Sequence, residues 1–173
     1  MAGDKPNESG SARRTLPKPK GILRWLLRLP VWLYRHGLGW LMGSRFIMLQ
    51  HVGRKSGKQR YTVVEVVRHD PQTGIYVIAS GWGERADWYR NVRKTPELIV
   101  HTGRERIEMR ASRLAEHAAA RELLDYARHH PAAFRALSGI LMDEPLEASA
   151  EGCESMAEVV PVIRLTPRTT ETS

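Results

Sequence analysis

Eight residues carry the densest chemistry in the chain: Gly53-Arg54-Lys55-Ser56-Gly57-Lys58-Gln59-Arg60. Four cations and a hydroxyl can grip phosphate or carboxylate oxygens, and the two glycines permit a tight bend that a ligand can approach closely. An apolar run from Phe46 to Val52 precedes the octet and an alternating one from Tyr61 to Val67 follows it. The octet therefore reads as an anion-gripping turn between two strands, although a solvated hairpin tip would use similar residues. It is not a Walker loop, because Gly57-Lys58 is followed by Gln59 and Gly53 stands one residue too close.

Other chemistries find less support. Ser56, Ser80 and Ser138 lack a G-x-S-x-G context, and the seven histidines include no H-E-x-x-H. The one cysteine, Cys153, lies in an acidic stretch that raises a thiol pKa and disfavours a nucleophile. What remains is Ala79-Ser80-Gly81 at a strand end, where backbone amides can face a ligand, and Trp88 with Asn91, three apart on one helix face. With the basic turn these suit a large, planar, anionic cofactor: cations for its tail, small residues for its polar edge and an indole against its ring.

The elements that must position these residues follow from periodicity. Strands are expected over 45–52, 60–68 and 75–80, separated by the basic turn and by His69-Asp70-Pro71-Gln72-Thr73-Gly74. After Gly81-Trp82-Gly83 the spacing of Ala86, Trp88, Tyr89, Val92 and Arg93 predicts a helix that Thr95-Pro96 stops. Strands over 97–101 and 104–113 come next, then an Ala-rich helical stretch from 115 to about 138, interrupted near Pro131. Residues 141–157 read as an acidic, patternless loop or lid, and 159–165 as a closing strand. Six strands joined mainly by hairpins predict a mainly β (α+β) fold, an antiparallel split barrel with helices over its ends, rather than a parallel sheet.

The 173 residues suit one domain with tails: a disordered basic tail over 1–20, an amphipathic helical segment over 21–44, the barrel over 45–167 and a tail over 168–173. Residues 1–60 hold 13 Lys/Arg against 2 Asp/Glu, a balance of +11, whereas 61–173 hold 14 against 17, a balance of −3. Such an asymmetry favours a local anionic partner over a nucleic-acid footprint. Trp25, Trp32 and Trp40 interleave with Arg24, Arg28 and Arg35 over 22–42, which suits either a core-facing helix or one lying on an anionic membrane surface. No secretory signal or uninterrupted apolar span is evident, so the expected location is cytoplasmic, peripheral to the inner membrane face if that segment is interfacial.

Gly53-Arg54-Lys55-Ser56-Gly57, Val77-Ile78-Ala79-Ser80-Gly81, Asp87-Trp88-Tyr89-Arg90-Asn91-Val92 with Pro96, and Pro161-Val162-Ile163-Arg164-Leu165 occur in that order. Together they resemble the deazaflavin-dependent nitroreductase family of actinobacteria, over about residues 30–167. The resemblance implies a split β-barrel related to flavin-mononucleotide oxidoreductases, with coenzyme F420 as hydride carrier and flavin mononucleotide (FMN) the less favoured alternative. It implies that Arg54, Lys55, Ser56, Gly57, Lys58 and Arg60 hold the phosphate and glutamyl tail, with Ala79, Ser80, Gly81, Trp88 and Asn91 near the deazaflavin. Implied acceptors are quinones, nitroaromatics and activated alkenes, and a proton must follow the hydride, for which Tyr126 and Tyr61 are the nominated donors. Where nitroreductase members place tyrosines over the substrate, this chain has His129-His130-Pro131-Ala132-Ala133-Phe134. A non-catalytic cofactor- or lipid-binding barrel is the competing reading.

Overall fold

The computed structural model describes residues 45–142 and 145–168. The expected tail over 1–20 and the amphipathic segment over 21–44 lie outside the described residues. Six strands, β1 (Phe46–Val52), β2 (Gln59–Asp70), β3 (Ile75–Ala79), β4 (Glu97–Thr102), β5 (Glu105–Arg113) and β6 (Val162–Pro167), close into a barrel in the order β1-β2-β3-β6-β5-β4. Every pairing is antiparallel. The helices are α1 (Asp87–Lys94), α2 (Glu116–His129), α3 (Pro131–Met142) and α4 (Ala150–Val159), with a short 3-10 turn at Gly83–Arg85.

Strand alternation divides the apolar residues between two clusters. One face of the strands sends Ile47, Leu49, Val64, Tyr76, Ile78, Leu98, Val100, Met109, Ile163 and Leu165 into a common cluster, which Trp88, Tyr89 and Val92 of α1 join. The opposite face sends Val77 and Val162 into a second cluster with Ala119, Leu123 and Tyr126 of α2, Phe134 of α3, and Cys153 and Met156 of α4. Helices α2 to α4 thus lie against the barrel wall instead of over its ends, because β3 is apolar on both faces and β6 adds Val162 on the helical side.

A β-bulge adjusts this division in β2. Val66 pairs with Ile78 while Arg68 pairs with Val77, so Val67 is the extra residue. Val67 and Arg68 consequently both face the helices: Val67 packs in the second cluster, and Arg68 donates from Nε and Nη2 to the two carboxylate oxygens of Glu122 at 2.7 and 2.9 Å. Pro131 opens α3, where a missing N–H costs nothing.

The acidic stretch differs from expectation. Instead of a patternless loop from 141 to 157, α3 runs to Met142 and α4 begins at Ala150, capped by Ser149, whose side chain accepts from the Gly152 N–H at 3.1 Å. Cys153, Met156, Ala157 and Val160 recur at helical spacing and are buried, while Glu151, Glu154 and Glu158 point outward. Cys153 is fully buried, and burial, partly opposed by the nearby Arg128 charge, pushes its thiol pKa up, whereas the sequence pointed to neighbouring acids as the cause. No helix among the described residues is long and apolar enough to cross a membrane.

Gly152 sits where a Cβ would run into the Glu147 carbonyl oxygen, whereas one on Gly139 of α3 would meet only Pro145, at 3.6 Å or beyond. Gly152→Ala is therefore expected to destabilise the fold by about 1–3 kcal/mol, and Gly139→Ala to be neutral or mildly stabilising. Urea unfolding of the two variants checks the difference.

Candidate functional site

The basic turn is held in shape by its own backbone. Gly53 donates to the Lys58 carbonyl at 2.8 Å, and Gly57 and Ser56 donate back to the Gly53 carbonyl at 2.8 and 3.2 Å. Gly57 takes φ +66°, and a Cβ on Gly53 would meet Ser56 Oγ at 2.9 Å, so both positions favour glycine. Lys55, Ser56, Lys58 and Arg60 are exposed, and no ion pair among the described residues uses Lys55, Lys58 or Arg60. These three cations are electrostatically uncommitted.

Arg54 differs. Its Nη2 pairs with Asp87 Oδ1 at 2.9 Å, its Nη1 donates to the Asp87 carbonyl at 3.3 Å and to Asn91 Oδ1 at 3.0 Å, and its backbone N–H donates to the same Asn91 oxygen at 3.0 Å. The turn is thereby fastened to α1. Lys94 Nζ donates to the Arg54 carbonyl at 3.1 Å, and Arg54, Lys55, Arg90, Arg93 and Lys94 line one open cationic cleft.

The other face of α1 borders a second cleft of about 400 Å³ between β2 and the helical layer. Tyr61, Val63, Glu65 and Val67 of β2, Ala79, Gly81, Trp82 and Trp88, and Leu123, Tyr126, Phe134 and Leu137 line it. Its volume and mostly apolar walls with a few polar groups are those of a small-molecule site. At its polar edge Tyr126 Oη donates to Glu65 Oε1 at 2.7 Å, and Arg45 Nε donates to the same oxygen at 2.9 Å. Burial, then the bond to Glu65, pushes the Tyr126 pKa up to about 12. Tyr61, more exposed, donates to Gln59 Oε1 at 3.4 Å.

Of the residues singled out in the sequence, Tyr61, Ala79, Gly81, Trp88 and Tyr126 meet in this cleft. Ser80 does not line it: fully buried, it donates from Oγ to the Gly83 carbonyl at 2.8 Å and holds the loop that presents Gly81 and Trp82. Asn91, on α1 with Trp88, turns to Arg54 and to His51, whose Nδ1 lies 3.3 Å from Asn91 Nδ2. Sequence reasoning passed over Glu65 and His51; a lone carboxylate among the apolar residues of β2 was the available signal for Glu65, and none marked His51.

The profile of the F420H(2)-dependent quinone reductases matches residues 26–137, well over half of the chain. The chain belongs to the F420H(2)-dependent quinone reductase family. A Mycobacterium tuberculosis protein that carries the provisional description F420H(2)-dependent quinone reductase Rv3178 is 29% identical over 139 residues, covering 78% of this chain and 99% of its own. Among solved structures, the F420-H2 dependent reductase FDR-A is 20% identical with a TM-score of 0.47, covering 70% of this chain and 93% of its own. General stress protein 26 of Bacillus anthracis is 13% identical with a TM-score of 0.45, covering 81% and 89%.

As a member of this family the protein is an F420-dependent oxidoreductase. Its residues fit the coenzyme on two counts: an aromatic-walled cleft sized for a planar ring, and an adjoining turn whose Lys55, Lys58 and Arg60 form no ion pair among the described residues.

His51 supplies a pH-dependent element beside this site. It is 3% exposed, and burial, partly opposed by a hydrogen bond with the Val52 backbone, lowers its pKa from 6.5 to about 4. The unfolded chain takes up a proton that the folded state refuses, so this contribution is complete above pH 6.5 and is lost as pH falls from 6.5 through 4. The loss is on the order of 2–3 kcal/mol. Urea unfolding at pH 7 and pH 4.5 is expected to show a larger acid loss for the wild type than for His51→Gln.

Proposed function

We propose that the protein passes a hydride from reduced F420 to a quinone held in the cleft between β2, α2 and α3, with nitroaromatics and activated alkenes as further acceptors that an apolar cleft of this size admits. The observation that carries the reading is the adjacency, through α1, of an aromatic-walled cleft and a cationic turn that Arg54 fastens to the helix while Lys55, Lys58 and Arg60 form no ion pair among the described residues. Lys55, Ser56, Lys58 and Arg60 would hold the phosphate and tail, with Ala79, Gly81 and Trp88 against the ring. The coenzyme supplies the hydride, so no protein nucleophile is needed. The protein's part is to orient the reactants, exclude water behind the walls formed by Trp82, Leu123, Phe134 and Leu137, and place polar groups where charge develops on the acceptor.

The proton that follows the hydride has a source set by these hydrogen bonds. Tyr126 keeps its proton on Glu65 with a pKa near 12, above what a reduced quinone oxyanion requires of a donor. Tyr126 therefore acts as a fixed hydrogen-bonding post, and solvent at the mouth beside Tyr61 delivers the proton.

Side-by-side titration with F420 and flavin mononucleotide is expected to show tight binding of F420 alone, with turnover on adding a quinone. Removing two charge-assisted contacts by Lys55→Ala with Lys58→Ala should weaken F420 binding by about tenfold or more. Unchanged affinity would remove the turn from the site. Tyr126→Phe is expected to lower kcat by no more than about fivefold, whereas loss of a true general acid would cost roughly 10²–10⁴-fold.

A further inference from the structure

We propose that His51 and Asn91 are positioning residues for coenzyme binding: His51 orients the Asn91 amide, and the amide oxygen seats Arg54 so that the rest of the basic turn faces the anion. The inference rests on the reading of that turn as the phosphate and tail site, and it moves both Arg54 and Asn91 from contacting the coenzyme to arranging the residues that do.

The hydrogen-bond polarity permits one assignment. Arg54 N and Nη1 both lie 3.0 Å from the same Asn91 side-chain atom, and both can only donate, so that atom is the amide oxygen. The amide nitrogen then faces His51 Nδ1 at 3.3 Å and must donate to it. Nδ1 is consequently the unprotonated nitrogen, and the ring hydrogen sits on Nε2, 3.4 Å from Thr62 Oγ1. His51 and Asn91 are 3% and 6% exposed, so bulk water does not readily replace either partner. An amide turned by half a revolution would set its NH2 against two donors of Arg54, which no His51 tautomer can relieve.

The chain of bonds connects β1 and β2 to α1 through the turn. Three hydrogen bonds from the Arg54 guanidinium go to Asp87 and Asn91, which leaves Lys55, Lys58 and Arg60 as the groups with charge to offer. Their direction depends on where Arg54 is seated. Asn91 thus affects the anionic part of the ligand and leaves the ring, held elsewhere, untouched.

The experiment compares two probes on each variant: F420 itself, and the deazaflavin chromophore lacking phosphate and glutamyl tail. Asn91→Leu and His51→Leu are expected to weaken F420 by about tenfold or more, while affinity for the tailless chromophore changes by less than about twofold. His51→Gln, whose side-chain oxygen can accept from Asn91, should restore F420 affinity to within about threefold of wild type. Asn91→Ser, polar but too short to reach both partners, should give the same selective loss where the leucine variant does not fold. Equal weakening of both probes would overturn the proposal in favour of a merely structural role, as would wild-type F420 affinity in folded Asn91→Ser. Failure of the wild type to bind F420 at all would instead sink the functional reading beneath it.

Discussion

The pairing shift in β2 between Val66 and Arg68 inserts one residue into the ladder, and with it two consecutive side chains, Val67 and Arg68, face the helical layer. Val67 supplies apolar contact and Arg68 a bidentate bond to Glu122. One helical turn further along α2, Tyr126 reaches Glu65 on the same strand. The helix is therefore tied to the barrel wall by two polar bonds, and the cleft lies beside the second of them, walled on one side by Tyr61, Val63, Glu65 and Val67 of β2. A regular ladder would have turned Arg68 toward the barrel interior, where an unpaired guanidinium is costly.

Helix α1 joins the two halves of the site. Its buried side gives Trp88 to the cleft and Tyr89 and Val92 to the barrel core, while Asp87, Asn91 and Lys94 hold the basic turn. A helix of eight residues has little intrinsic stability, so its position comes from these packing and polar contacts. On the proposed reading, cofactor binding by the turn and ring placement by the cleft would be mechanically linked through it, as hydride transfer requires of two reactants that must stay within bonding distance.

Much of this was legible in the sequence. Alternating apolar residues placed all six strands to within a few positions, and Gly53, Gly57 and the Asp70-to-Gly74 turn signalled the hairpins. Helix α4 was hidden because Glu151, Glu154 and Glu158 dominate its composition, although Cys153, Met156, Ala157 and Val160 carry its helical spacing. The bulge left no trace, since Val66, Val67 and Arg68 look like any strand residues until their partners are known. The roles of Asn91 and Ser80 were likewise out of reach, because each depends on partners distant in sequence or on a rotamer that spacing does not encode.

The single cysteine gives the helical layer a built-in reporter. Cys153 is fully enclosed between α4 and its neighbours, with its thiol held in the less reactive protonated form. A bulky alkylating reagent can reach that sulfur only during moments when α4 lifts from the wall. The rate of its modification is thus a clock for breathing of the very layer that walls the cleft, readable without introducing any label site.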